Sequence, residues 1–518
     1  MNIKSPRAGF TQPLIWLGLA AFSVLFYLVV ALQKTPTGFP LDDAWIHQVF
    51  ARNLALHGQF AYNLGQPVAG STSPLWTFML IPGYAFDNFY GAWAYALGIL
   101  FLALTGREAF LLAKLLSGHQ GVAWGAALGC LFEWRLVWAG ASGMETIVFA
   151  FGTLFLARSY IQHFPIGSEK FGQHFQPRST GSANRLSFLL GVSGGLLTLV
   201  RPEGMALLGL VALDMAWRMR QTRTEGWMRT VIKAWLVIAA GWALLVIPYF
   251  IFNYLLSGSP LPNTFSAKVS AYADLSPQSL ATYFGGAFYQ LFLAGALFAL
   301  VPGLLYCISS LQRGLQDWRP LVWLALVLVL YALRLPVTYH HARYLMPLIP
   351  FLVVYGVIGT AGLMNWLRSK RLPVVARSLP WLIGLIVLYS WFTGSLAYQF
   401  DVKFINDEQV RIGHWLAANT APEAVVATHD IGAIGYFSQR KIVDTAGLVS
   451  PEFVKIVTDH QAILNKLNKL RVNYFAMLPS WYPDLYEQLE KQGIKVFQPQ
   501  ETYLEQFGEK NMVVYKLR

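Results

Sequence analysis

Two adjacent carboxylates, Asp42 and Asp43, follow Gly38-Phe39-Pro40 just beyond the first apolar run of the chain. A helical pattern, Ala44 to Leu56, starts directly after them and carries His47 and Arg52. An Asp at a helix start satisfies exposed amides and favours the helix dipole, which accounts for one carboxylate better than for two. A carboxylate beside apolar surface has its charged form disfavoured and becomes a stronger proton acceptor. The pair therefore points to general-base chemistry, or to a divalent cation held at Asp42 and Asp43. His57 and then Gly70-Ser71-Thr72-Ser73-Pro74-Leu75-Trp76 follow in the same polar stretch. The latter has turn chemistry throughout and is either an ordinary loop or a set of groups for sugar hydroxyls, Ser73 among them.

Other ionisable groups stand at the ends of apolar runs. Glu145, in Ser142-Gly143-Met144-Glu145-Thr146, is a helix-start acid or a group facing a cavity. Arg201-Pro202-Glu203-Gly204 interrupts a long apolar stretch, where charges normally pair or face a cavity. Lys268 follows Pro262-Asn263-Thr264-Phe265, and Arg343 ends Tyr339-His340-His341-Ala342-Arg343. Two such cations on one side of a membrane would suit a phosphate, although Arg343 also fits an interfacial anchor. His340 and His341 are adjacent and not four apart, which disfavours zinc. His341 and Asn263 are kept as cavity candidates with Arg52, His57, Ser73, Glu145, Arg201 and Glu203. In the tail, Asp430-Ile431-Gly432-Ala433-Ile434-Gly435 and Asp444-Thr445-Ala446-Gly447-Leu448 match no phosphate-binding glycine motif and read as turns and caps.

The elements that position these groups follow from composition. Of 518 residues, 55% are hydrophobic and 13% charged, against roughly 25% charged in a soluble domain. One water-soluble core is excluded, and so is disorder. Residues 13–32 form an apolar run of spanning length, read as an uncleaved first helix with a cytoplasmic N-terminus. Further spans are read near 90–115, 121–140, 143–160, 187–201, 203–217, 231–255, 287–308, 320–335, 344–366 and 379–397. That gives about eleven helices, with 75–86 too short to cross. The net charge of +13 raises the question of nucleic acid. Residues 1–400 hold 26 basic and 12 acidic groups, whereas 401–518 hold 13 and 14. The excess lies between apolar runs, about 19 of those 26 in loops assigned to the cytoplasm, so it reports orientation and excludes nucleic acid. Cys130 and Cys307 lie in apolar runs and imply no disulfide.

The expected architecture is a polytopic α-helical membrane domain, 1–399, with a first outer loop, 33–74, and a small α/β extracytoplasmic domain, 400–518. Strands are read at 425–427, 441–443, 472–476 and 512–515, and helices near 406–419, 460–470 and 482–492.

Taken in order, the Asp-Asp pair, Ala51-Arg52-Asn53-Leu54, the 70–76 loop, Ser142–Thr146, Arg201–Gly204, Pro262–Phe265 and Arg343-Tyr344-Leu345 resemble the GT-C superfamily of integral-membrane glycosyltransferases. The nearest resemblance is to bacterial relatives of the mycobacterial terminal β-(1→2)-arabinofuranosyltransferase, and it covers most of the chain. It implies a polyprenyl-phosphate sugar donor, used on the outer face of a bacterial plasma membrane, with a first-loop Asp as base. The transferred sugar would be arabinofuranose or mannose, and the acceptor a glycan, lipid or protein of the cell envelope. Carried onto this chain, the resemblance puts the base on Asp42 or Asp43, with Asp42 slightly favoured, and the donor phosphate on Lys268 and Arg343. A transporter or flippase for a lipid-linked glycan is the competing reading of the same spans and outer cations.

Overall fold

The computed structural model describes residues 11–86, 89–164, 180–221, 226–264, 280–311, 317, 319–334, 337–500 and 510–517. Helix α1, Thr11–Leu32, is followed by the first-loop helix α2, Asp42–His57. A short hairpin, β1 Ala61–Asn63 and β2 Gln66–Pro67, turns at Gly65, and α3, Pro74–Leu80, completes the loop. The helical body continues through α4 Tyr90–Ser117, α5 Gln120–Leu131, α6 Trp134–Ala141 and α7 Thr146–His163. Then come α8 Thr180–Val200, α9 Gly204–Gln221, α10 Trp227–Ser257, α11 Leu280–Phe288, α12 Val301–Leu311 and α13 Arg319–Arg334. Two long helices, α14 Ile349–Ser369 and α15 Pro373–Ile405, lead into the tail.

Five helices among the described residues are long and apolar enough to cross a membrane, and seven spans result if each of two bent pairs counts as one. The runs expected as uniform spans over 121–140 and 143–160 are in fact three helices, with a 120° bend between α6 and α7. The cause is local. The Glu133 carboxylate accepts the amides of Arg135 and Leu136, so α5 ends and α6 starts anew. Gly143 then takes φ +70° while packed on Phe39, whose ring would lie 2.6 Å from an added Cβ. The run 287–308 is likewise bent, by 83°, after Leu293. The stretch 75–86 contributes α3 and a single tight turn, Ile81–Tyr84.

Helix α1 lies against α4 and α15. Apolar side chains fill the contact, and its polar groups are satisfied internally: Ser23 donates to Leu131 O at 2.9 Å and Tyr27 to Trp391 O at 2.8 Å. Such bonds are required where no water can serve the donors.

Helix α15 does not stop at the expected boundary near 400. It runs to Ile405 and continues, through one wide turn at Asn406–Val410, into α16, Arg411–Asn419. The remaining tail elements are β3 Val425–Thr428, α17 Gly432–Ser438, β4 Lys441–Asp444, α18 His460–Lys469, β5 Tyr474–Met477, α19 Pro483–Gln492, β6 Ile494–Phe497 and β7 Val513–Lys516. The sheet order is β4-β3-β5-β7-β6; β3 is parallel to β4 and β5, and the β5–β7 and β7–β6 pairs are antiparallel. Strand β6 is not among the expected strands; only Ile494-Lys495-Val496 alternates, too short a signal to mark one. The turns after β3 and β4 face the helical body and meet α2 there.

Candidate active site

A narrow cavity of about 40 Å³ lies where α2, the 70–72 loop, the α6–α7 bend and the tail meet. Helix α2 supplies Asp43, Ile46 and His47. Asp43 and His47 are four residues apart, so they share one face of the helix. Glu145 enters from the bend, Arg201 from between α8 and α9, Thr264 from beyond α10, and Arg343 and Tyr344 from before α14. Leu448, on the tail loop after β4, closes the remaining side.

The charges are arranged in two branches. Arg343 Nη2 donates to Asp43 Oδ2 at 2.5 Å, with Asp43 the more exposed partner at 25% against 5%. Arg343 Nη1 is buried and has no hydrogen-bond partner among the described residues. In the second branch, Glu145 stands 3.4 Å from His47 Nε2 and 3.7 Å from Arg201 Nε. His47 also meets Thr77 at 3.4 Å, and Arg201 lies 3.8 Å from Glu203, which accepts the Tyr331 hydroxyl. Tyr344 joins the branches, its ring centre 5.0 Å from both the Arg201 and the Arg343 guanidinium carbons. A buried guanidinium donor aimed into a polar cavity is a site for an anionic oxygen.

Arg343 is presented by an unusual turn. His340, His341 and Ala342 take φ of 50°, 57° and 56°, a left-handed run without glycine. Each such residue costs about 1–2 kcal/mol. His341 is held by a 2.7 Å contact with Asp401 and by the edges of Trp134 and Trp138, so it anchors this turn and does not line the cavity.

Asp42 has a different task. Its two oxygens accept the amides of Gly432 and Ala433 at 2.6 and 2.7 Å, which ties α2 to α17. Burial, and then the nearby Asp430, push its carboxyl well above the usual range, while the two amides pull back. Asp43 lines the cavity and Asp42 is not among its lining residues, its carboxyl being engaged by the two tail amides. The two carboxylates also fail to form one ligand set, since one meets two amides and the other a guanidinium. Among the described residues no group of three or more His, Cys, Asp or Glu could hold a metal ion.

The other candidates separate. Glu145, Arg201 and Arg343 converge on the cavity, and Glu203 stands behind Arg201. Arg52 instead donates to Tyr436 O at 2.7 Å and covers the Tyr436 ring, a second tie to the tail. His57 is exposed at the far end of α2, and Ser73 is buried at the start of α3. Asn263 lines a neighbouring groove, its backbone N–H donating to Ala69 O at 2.8 Å. Lys268 lies outside the described residues. Sequence reasoning passed over His47, Thr264 and Tyr344 as site residues; the four-residue spacing from Asp43 was the one signal available for His47.

Comparison with known proteins gives the following. Residues 401–515 match a family described only as a domain of unknown function (DUF8728). No curated protein matches the chain. Among solved structures, the chain is similar to ArnT from Cupriavidus metallidurans bound to undecaprenyl phosphate. The TM-score is 0.61 at 12% identity, over 97% of each chain. It is also similar to the oligosaccharyltransferase AglB from Archaeoglobus fulgidus, in complex with an inhibitory peptide and a dolichol-phosphate. There the TM-score is 0.60 at 13% identity, covering 95% of this chain and 74% of the other. The chain therefore shares the fold of these two solved structures. The arabinofuranosyltransferase relative is not specifically supported.

Proposed function

We propose that this protein is a glycosyltransferase that moves a sugar from a polyprenyl phosphate to an acceptor hydroxyl at the outer face of a membrane. The observation that carries this reading is the pairing of Asp43 with Arg343 in a cavity closed by the tail domain. The GT-C fold supports it, because the similar structures were solved with undecaprenyl phosphate and dolichol-phosphate bound.

In this mechanism Asp43 accepts the proton of the acceptor hydroxyl as its oxygen attacks the anomeric carbon. The bond from that carbon to the phosphate oxygen breaks, and polyprenyl phosphate leaves with the electron pair. Arg343 moves from Asp43 toward the phosphate, and its unpartnered Nη1 supplies a second donor to the growing charge. Releasing Asp43 from its guanidinium restores the carboxylate as a base. A one-step displacement inverts the anomeric centre. Glu145 fixes His47 and Arg201 in place, and Asp42 holds the tail over the site.

The sugar is arabinofuranose or mannose, and the protein lies in a bacterial plasma membrane with its N-terminus cytoplasmic and its tail outside. The test is incubation of the purified full chain with arabinofuranosyl and mannosyl polyprenyl phosphates and a hydroxyl-bearing oligosaccharide acceptor, with mass spectrometry of released polyprenyl phosphate and of the extended acceptor. Release that disappears in Asp43→Asn is the expected result. Movement of the lipid-linked sugar across vesicles with no transfer product would instead make the chain a flippase.

A further inference from the structure

A second cavity, of about 330 Å³, lies between the first-loop hairpin and the edge strand β4 of the tail sheet. Its volume falls in the ~300–1,000 Å³ range of small-ligand sites. It shares a thin wall with the candidate active site. In that wall, neighbouring residues face opposite sides: Thr264 and Leu448 line the first cavity, Asn263 and Val449 the second. The wall is stitched by the Asn263 backbone N–H, which donates to Ala69 O at 2.8 Å, and by the Thr264 hydroxyl, which donates to Gly70 O at 2.6 Å.

The lining decides what fits. Lys441 and Glu452 contribute one charge of each sign, so a phosphorylated or strongly acidic ligand gains little net attraction. Amides and hydroxyls, those of Gln66 and Ser450 among them, predominate over charge. A peptide would ordinarily pair with an open sheet edge. Here that edge is taken. The Asn63 side chain donates to Ile442 O at 2.9 Å and accepts from Ile442 N at 3.0 Å, and Asp444 N donates to the Ser450 hydroxyl at 3.1 Å. The strand therefore offers side chains and no backbone ladder.

We propose that this groove binds a neutral oligosaccharide, the part of the acceptor that precedes the hydroxyl receiving the sugar. The inference rests on the glycosyltransferase reading and adds to it the acceptor class and the residues that select it. An acceptor lying along the groove would reach past Leu448 and Val449 toward Asp43. Specificity for the acceptor then resides in the first-loop hairpin and the tail, apart from the groups that handle the donor.

The experiment uses the full chain in nanodiscs, probed with an array of neutral two- to four-sugar oligosaccharides of pentofuranoses and hexopyranoses and with a random peptide library. Gln66, Lys441 and Glu452 are exposed, so their substitution leaves the fold intact. Expected is glycan binding by the wild type and by Asp43→Asn, weakened at least tenfold in the combined Gln66→Ala, Lys441→Ala, Glu452→Ala variant. Melting temperature confirms that this variant folds. Binding of no neutral glycan, glycan binding that the triple variant retains, or peptide binding that it loses would each overturn the proposal. Release of polyprenyl phosphate is measured on the same samples. It decides the glycosyltransferase reading separately, because glycan binding is read without donor and does not depend on turnover.

Discussion

Replacing Gly432 with alanine places a methyl carbon 1.9 Å from the Asp42 carbonyl oxygen, where side-chain carbons do not come within 3.0 Å. The rigid neighbour is backbone, so helix α17 must retreat from α2 by about 1 Å. That retreat stretches the two amide contacts to the Asp42 carboxylate, 2.6 and 2.7 Å in the intact protein, beyond hydrogen-bonding range. A hydrogen bond contributes about 0.5–1.5 kcal/mol net, so losing two weakens the attachment of the tail by roughly 1–3 kcal/mol. Hydrogen exchange reads this directly. Protection at positions 432 and 433 should fall by about 5- to 100-fold, since each 1.4 kcal/mol is about tenfold. Leu448 leaves the cavity with the tail, so release of polyprenyl phosphate should fall too, while the helical body stays inserted. Wild-type protection and wild-type turnover in Gly432→Ala would refute the idea that this contact holds the tail over the site.

Three further outcomes are expected. Arg343→Lys cannot supply both guanidinium donors, so kcat/KM for the donor should drop by about 10–100-fold, the equivalent of one charge-assisted bond, as measured by mass-spectrometric turnover. Glu145→Gln loosens His47 and Arg201 together, so substrate titrations should show a lower kcat, and the loss of a buried carboxylate should lower the melting temperature. Asp444 is pushed up to about 7 by burial, against the pull of four loop amides. The folded tail thus holds this proton more tightly than the unfolded chain, whose Asp titrates near ~3.9. Its stabilising effect is complete below about pH 4 and is lost as pH rises through about 7, a change of about 4 kcal/mol. Hydrogen exchange of residues 446 and 449 across that window should show the loss, and Asp444→Asn should remove the slope.

Much of this architecture is legible in one dimension because apolar length is a strong signal. The helices Tyr90–Ser117 and Trp227–Ser257 stand near the positions that hydropathy gives them. The breaks are harder to read. Nothing in apolar content announces that Glu133 caps a new helix, or that Gly143 folds back on Phe39. The Asp-Asp pair was visible as chemistry, but the division of labour within it was not. That division depends on Gly432 and Ala433, about 390 residues downstream in sequence, whose amides claim one carboxylate. His341 shows the reverse: it looked like a site residue beside Arg343, and it packs against Asp401 and two tryptophans to shape the turn.

The central claim is that Asp43 takes the proton while Asp42 serves as a strut, and one side-by-side measurement tests it. Polyprenyl phosphate release is followed for Asp43→Asn and Asp42→Asn at saturating donor, with exchange protection at 432–433 read on the same samples. Asp43→Asn should lose about 10²–10⁴-fold in turnover with full protection of the tail contact. Asp42→Asn should lose turnover only as far as its protection falls. A fully active Asp43→Asn, or an Asp42→Asn that is inactive with its tail contact intact, would contradict the account.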